Sequence, residues 1–299
     1  MEALSNYDNI ILYGAGGGFD IYGGLPLYWQ LKDAGKNVLL ANFSFTDDLH
    51  TYVDTTMVKI TENLATTKKN TDYFPELWLS RFIKQPVYAV RLHSPEQIIA
   101  SFAELISQLQ GTTILVLVDA GHDIVLFGDE IQRGTPFEDT TSVVVAKQLS
   151  DELKIGVMIA CISAPTELMD FEKFIYQYPE IQGPYLPKMA DVKYIERLEE
   201  LLDTTDKNYR SIPSEALLAG LKLAKGQLEL KVQTELTWRL CQRAIANDWT
   251  PDDFPLASIQ AAIYYFIDFN LLINKSQYYQ RVLEHYEKTR SISWSMGFE

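Results

Sequence analysis

Two stretches of this 299-residue chain hold residue types that could do chemistry. The first is Gly14-Ala15-Gly16-Gly17-Gly18-Phe19-Asp20, which follows the apolar run Ile10-Ile11-Leu12 and precedes a helix-like segment. A glycine turn between a strand and a helix exposes backbone N–H groups where positive partial charge collects, so it can cradle an anion or let a ligand approach the main chain. The second follows the apolar strand Thr113 to Val118. It reads Asp119-Ala120-Gly121-His122-Asp123, then Gly128-Asp129-Glu130, then Gly134-Thr135-Pro136-Phe137-Glu138-Asp139. Carboxylates crowded into one loop need a metal, a proton, a basic partner or solvent.

Against the dinucleotide fingerprint Gly-x-Gly-x-x-Gly, Gly14 and Gly16 match but the third position falls on Phe19, a bulky ring where close helix–strand packing is required. The next strand, Val38 to Phe43, ends without the Asp or Glu that would hold a ribose diol, unless Asn42 substitutes. No ordinary NAD site is expected. A Walker P-loop is excluded because no Gly-Lys-Ser/Thr follows the turn.

Asp20 at the helix entrance either caps the helix or contacts a ligand hydroxyl or amine, and it would repel a phosphate unless a cation lay between them. In the second stretch, Asp119, Asp123 and Asp129 are candidate ligands for a hard cation such as Mg²⁺ or Mn²⁺, since oxygen donors are plentiful there and cysteine is absent. Their alternative role is to cap turns and face solvent. The glycines at 121, 128 and 134 require a backbone folded tightly around them. His122 has the chemistry of a metal ligand or base, although an isolated loop histidine is more often neither. Glu138 suits a capping box with Thr135. The candidate catalytic groups are thus Asp20, Asp119 and Asp123, and the candidate ligand-binding positions are Gly14, Gly16, Gly17, Gly18, Asn42, His122 and Gly128. The string Asp-Ala-x-x-Asp at 119–123 is also similar to arginase-like manganese sites, but Gly121 replaces their histidine and no second carboxylate pair supports the match.

Four motifs in this order, Gly-Ala-Gly-Gly-Gly-x-Asp at 14–20, Asp-x-Gly-x-Asp at 119–123, Gly-Asp-Glu at 128–130 and Gly-Thr-Pro-x-Glu-Asp at 134–139, resemble the domain of unknown function 1152 family. Phe19 stands where that family tends to carry another glycine, and His122 where a small hydroxyl residue is usual. The resemblance implies a single α/β protein of this length and leaves the reaction to be argued from chemistry.

The elements that must position these residues are legible as alternating apolar runs and amphipathic segments. Strands are expected at Asn9–Tyr13, Asn37–Phe43, Val87–Leu92, Thr113–Val118 and Lys154–Ile162. A helix should start at Ser94 as N-cap, with Pro95 at N1, Gln97 at N3 and Ile98, Phe102, Leu105, Ile106 and Leu109 on one face. A looser start lies at Ser211, with Pro213 and Glu215 in the first turn. After about residue 165 helical periodicity dominates: Ile195, Leu198 and Leu202 share a face, as do Val232, Leu236 and Leu240, and Tyr279, Val282, Leu283 and Tyr286. Ile259–Phe269 alternates as a strand does, though its composition also suits a buried helix. Phe45–Pro86 is the least regular section and reads as a surface excursion or a lid.

The expected fold is therefore α/β, a Rossmann-like parallel sheet over residues 1–165 with a mainly helical portion, 166–299, packed into the same domain. Hydrophobic residues make up 47% of the chain, enough for a sizeable core. A formal charge of -14 opposes contact with a phosphate backbone, so nucleic acid is not an expected partner. Cys161 and Cys241 sit in apolar or helical contexts that suit reduced core thiols. No apolar run approaches a membrane span or a signal core, and a cytoplasmic location with no membrane partner is expected. The functional expectation is a hydrolase or group transferase acting on a small phosphate- or ribosyl-containing metabolite. Two alternatives stay open: a non-catalytic nucleotide-sensing module, and an interaction protein whose acidic face docks a basic partner.

Overall fold

In the computed structural model, the described residues are 2–46, 55–64, 73–121, 123–125, 136–162, 179–183, 185–205, 209, 211–227, 261–274 and 278–295. The strands are β1 (Asn9–Gly14), β2 (Asn37–Phe43), β3 (Met57–Ile60), β4 (Val87–Val90), β5 (Thr113–Asp119), β6 (Gly156–Ile162), β7 (Lys188–Met189) and β8 (Ile263–Asp268). The helices are α1 (Glu2–Ser5), α2 (Asp20–Gly23), α3 (Leu25–Asp33), α4 (Pro75–Ile83), α5 (Pro95–Ser107), α6 (Pro136–Leu153), α7 (Ile195–Thr204), α8 (Ile212–Ala224), α9 (Phe269–Ile273) and α10 (Tyr278–Ser295).

Runs that are apolar at every position cannot leave one face in water, and β1 and β5 are buried along their whole length. They sit at the centre of an eight-stranded sheet of order β3-β4-β2-β1-β5-β6-β8-β7. From β4 to β6 neighbouring strands are parallel, while β3 and β8 are each antiparallel to the strand they join. Successive side chains of β1 point to opposite faces. Ile11 and Tyr13 enter a core with α5, α6 and α10, through Ile98, Phe102, Val144 and Val282. Ile10 and Leu12 enter the other core with α3, α7 and α8, through Leu27, Leu198 and Leu217. The result is an α/β protein with helices on both faces of a mostly parallel sheet.

The chain moves outward from β1 to β2 and β4, then returns to the other side of β1 for β5 and β6. This is the doubly wound order, in which ligands gather outside the carboxyl ends of the strands where the direction of winding reverses. That point lies between β1 and β5, which are paired from Asn9↔Thr113 to Gly14↔Val118.

Several elements depart from the sequence expectations for physical reasons. The irregular section 45–86 contains β3 and α4; β3 is a four-residue edge strand with Lys59 exposed, so it carries little apolar signal. The expected strand at Lys154 begins at Gly156, because Lys154 takes a left-handed φ of 56° just past α6. The face of α7 runs through Ile195, Leu198 and Leu201, with Leu202 only partly buried. Within Ile259–Phe269, residues 263–268 form β8, as the alternation expects, and of this stretch only Phe269 belongs to a helix, α9; residues 259 and 260 lie outside the described residues. The portion after 166 also contributes β7 and β8 to the sheet. The α5 start has its full capping box between Ser94 and Gln97, and Ser211 caps α8 by accepting from the Ser214 amide. Val232, Leu236, Leu240, Cys241 and Thr135 lie outside the described residues. Cys161 is buried in β6.

Candidate functional site

The glycine turn extends the β1–β5 pairing by one bond, from the Ala15 amide to the Val118 carbonyl at 2.9 Å, and then breaks away. Gly17 and Gly18 have φ of 85° and 59°, a region open to glycine at no steric penalty. Each glycine here also sits against something that leaves no room for a side chain. A Cβ at Gly14 would lie 2.1 Å from Asn42 Oδ1, and one at Gly17 would lie 2.7 Å from the Phe45 ring. One at Gly18 would lie 2.9 Å from the Tyr73 hydroxyl.

Gly16 is different, because its neighbours are charged. Its amide donates to Asp20 Oδ2 at 2.8 Å. A Cβ on Gly16 would meet both Asp20 Oδ2, at 2.8 Å, and Asp139 Oδ1, at 2.9 Å, so two carboxylates from different helices frame one glycine. Asp139 lies in the first turn of α6 and is buried, where the positive end of the helix favours its charge. Both acids also face the Tyr13 hydroxyl, whose pKa is raised above its ordinary value first by burial and then by these two negative charges.

Beneath the turn lies a second acidic group. Asn42, fully buried at the end of β2, donates from Nδ2 to the Gly18 carbonyl at 3.0 Å and to Glu76 Oε1 at 2.7 Å. Glu76, in the first turn of α4, is also buried, and burial pushes its carboxyl up to about 7 against the smaller opposing effects of Asn42, its own backbone and Ser44. Neither Asn42 Oδ1 nor Glu76 Oε2 has a hydrogen-bond partner among the described residues. Tyr22 and Tyr73 face the same carboxyl, and burial followed by its charge raises their pKa values. The Tyr22 hydroxyl donates to the Pro75 carbonyl at 3.0 Å, tying α2 to α4.

Phe19 fills a position where the fingerprint expects glycine, and its ring packs on Tyr22, Tyr73 and Trp78. The close helix–sheet approach falls instead at Gly23 and Gly24. A Cβ on Gly23 would lie 2.9 Å from Ile162, and one on Gly24 would lie 3.2 Å from Val118. On the far side of the turn, the Ser142 hydroxyl lies 2.7 Å from the Ala15 carbonyl and 3.2 Å from the Tyr13 hydroxyl.

Asp119 ends β5 and is buried, with Oδ2 accepting from the Ile124 amide at 3.0 Å. Its carboxylate therefore ties the loop after β5 back to the end of the strand. Asp119, Asp139 and Cys161 all face the buried Tyr278 hydroxyl, whose pKa burial and these groups raise. Asp123 opens a single 3₁₀ turn. His122, Gly128 and Asp129 lie outside the described residues. Among the described residues no group of three His, Cys, Asp or Glu is arranged to hold a metal ion.

Of the residues expected from sequence, Gly14, Gly16, Gly17, Gly18, Asp20 and Asn42 converge on one turn, with Asp119 on the neighbouring strand end. Asn42 is enclosed under the turn rather than placed on its rim. Glu76 and Asp139 had not been singled out: Glu76 looks like any acid in the first turn of a helix, and Asp139 stands beside a glutamate that suits a capping role. No helix among the described residues is long and apolar enough to cross a membrane. No family model matches the chain, and no curated protein or solved structure shows significant similarity to it.

Proposed function

We propose that this protein is an enzyme, a hydrolase or group transferase, that acts on a small metabolite carrying a ribosyl or phosphate group. The observation that carries this reading is that the glycine turn after β1 and the end of β5, where Asp119 stands, lie side by side at the reversal of strand order. Three further acids stand around that turn, Asp20, Asp139 and the buried Glu76 with its raised pKa. A carboxyl group with a raised pKa, together with further acids near a strand end, supplies groups of the kind that acid–base or electrostatic catalysis uses.

In this reading the turn seats the ligand, and the acids position it and stabilise the positive charge that develops as a glycosyl or similar bond loosens. Mg²⁺ or Mn²⁺ would be held by Asp119 together with Asp123 and Asp129. The test is a thermal-shift screen of nucleosides, nucleotides, sugar phosphates and these two cations, followed by product analysis for each compound that raises the melting temperature. Asp119→Asn should keep binding within about threefold while lowering turnover at least a hundredfold, on the order expected for an electrostatic group. A compound bound tightly yet recovered intact would replace the enzyme with a nucleotide sensor.

A further inference from the structure

We propose that Glu76 is a pH-operated latch on the glycine turn: neutral, it holds the turn closed through Asn42, and ionised, it draws the Tyr73 hydroxyl away from Gly18 so that the turn opens. The latch stands whether or not the turn seats a ligand. Glu76 Oε1 accepts from Asn42 Nδ2 at 2.7 Å, and the same nitrogen donates to the Gly18 carbonyl at 3.0 Å. Both protons of that amide are thereby committed. The Tyr22 hydroxyl commits its own to the Pro75 carbonyl. Glu76 Oε2 is left buried, with no hydrogen-bond partner and no Lys, Arg or His paired with the acid among the described residues. A neutral carboxyl tolerates such a position far better than a carboxylate does, and burial pushes this one up to about 7.

Tyr73 is the neighbour with a proton to give. Its hydroxyl faces the charge of Glu76 and makes no hydrogen bond among the described residues. Burial and the charges of Glu76 and Asp20 hold it protonated well beyond the ordinary range of a phenol. It stands against Gly18, 2.9 Å from where a Cβ would be, so Gly18 is held at its carbonyl by Asn42 and at its Cα by Tyr73. A carboxylate attracts an unused donor, and taking Tyr73 removes one of those two holds. The other walls are fixed: Asn42 lies in β2, paired on both sides with β1 and β4, and Glu76 lies in α4. The turn is the wall that yields, because its pairing with β5 ends at the Ala15 amide and Gly17 and Gly18 stand outside the sheet. The groups facing Glu76 are Asn42 and Ser44 from β2 and its end, Tyr22 from α2 and Tyr73 before α4, while Asp20 and Tyr209 face Tyr73. From β3, β4 and α7, which also pack on α4, no described residue brings a charge to this carboxyl.

The experiment uses the full isotope-labelled chain without ligand and follows by NMR the side-chain carboxyl carbon of Glu76 and the hydrogen exchange of the Gly16 to Phe19 amides, from pH 5.5 to pH 8.5. Corrected for the intrinsic pH dependence of exchange, the turn amides should exchange about tenfold faster at the upper limit, with the midpoint of the Glu76 titration. They should remain less protected than the Ile10 to Leu12 amides of β1 at every pH, which shows the opening to be local. In Glu76→Gln the corrected rates should stay at the wild-type value for low pH. In Tyr73→Phe the ionised acid loses its donor, so the Glu76 midpoint should rise by about half a pH unit or more, whereas a Tyr73 that only packs would leave it in place. The agreement of midpoints is read on wild-type protein and needs neither variant to fold. The proposal is overturned if Glu76 titrates while the corrected turn rates stay constant, if those rates merely follow the β1 amides, if the rise persists in Glu76→Gln, or if Tyr73→Phe leaves the midpoint unmoved.

Discussion

The glycine turn is held from two sides by different chemistry. Toward α4 it rests on Asn42 and through it on Glu76, an acid whose charge burial deprives of solvation by water. Toward α6 it rests on neutral hydroxyls, Ser142 against the Ala15 carbonyl and Tyr13 behind it. Both sides are buried and both use a side chain to satisfy a carbonyl of the turn. Only one of them changes state near neutral pH. A buried carboxyl exchanges a strong, charge-assisted bond for a desolvation penalty that depends on protonation, whereas a hydroxyl pair gives a weaker bond that pH leaves alone.

The largest effect expected is at the point where the acid side meets the backbone. Gly14→Ala would place a Cβ 2.1 Å from Asn42 Oδ1 and 2.8 Å from the Ile21 amide. Asn42 cannot swing aside without giving up both of its bonds, and the Ile21 amide belongs to α2. Overpacking together with loss of a buried charge-assisted bond should destabilise by on the order of 3 to 5 kcal/mol. Urea unfolding monitored by tryptophan fluorescence measures it. A loss below about 1 kcal/mol would mean that the Asn42 side of the turn yields readily and that the two sides differ little.

Next comes the pH response of Glu76. Its carboxyl is raised from 4.5 to about 7, so between these values the folded protein keeps a proton that the unfolded chain has lost. Stability contributed by this group is therefore full below about pH 4.5 and falls as pH rises to about 7, by on the order of 3 kcal/mol. Glu76→Gln keeps an acceptor for Asn42 and removes the ionisation. The groups facing this carboxyl are Asn42 and Ser44 from β2 and its end, Tyr22 from α2 and Tyr73 before α4. Neither tyrosine titrates in the window, since both are raised above 10. The variant should match wild type at pH 4.5 and exceed its stability at pH 8. Stability curves that stay parallel from pH 4.5 to 8 would show that Glu76 is ionised without penalty, and the contrast between the two sides would disappear.

How much of this was legible in the sequence follows from which residues carry a local pattern. β1, β2 and β5 could be placed because their apolar runs are buried on both faces and owe nothing to distant partners. The capping of α5 by Ser94 was legible because it is closed within four residues. β3 was not, because an edge strand with an exposed lysine is specified by the neighbour that it pairs with, β4. Phe19 illustrates a subtler failure: the fingerprint test asked for a glycine at a fixed spacing, while the requirement is for a small residue wherever the helix crosses the sheet. That crossing falls at Gly23 and Gly24, four and five residues later. The turn itself and Asp20 were visible as a motif. Glu76 was not, and Asp139, although it closes the motif at 134–139, gave no local sign of reaching the turn, since each acid does so only through the packing of a helix that starts far along the chain, and a first-turn acid is unremarkable in any helix.

The smallest of the three effects belongs to the neutral side. A serine hydroxyl has one proton, and the 2.7 Å contact directs it to the Ala15 carbonyl, which leaves the Tyr13 hydroxyl, at 3.2 Å, to give its own proton to Ser142. Ser142→Ala removes the donor of one bond and the acceptor of the next. Both abandoned groups are buried, so the loss should be about 1 to 2 kcal/mol. Tyr13→Phe removes only the outer hydroxyl and should cost less, and in the double variant the second change should add little, because Tyr13 then has no hydroxyl to leave stranded. Burial holds the Tyr13 phenol neutral well beyond its ordinary range, so this loss should be the same at pH 5 and pH 8. A Ser142→Ala penalty that grew or shrank by more than about 1 kcal/mol between those two pH values would show that the hydroxyl chain senses the charge of Asp20 and Asp139. The turn would then be one coupled acidic unit rather than a backbone braced by one titratable and one inert support.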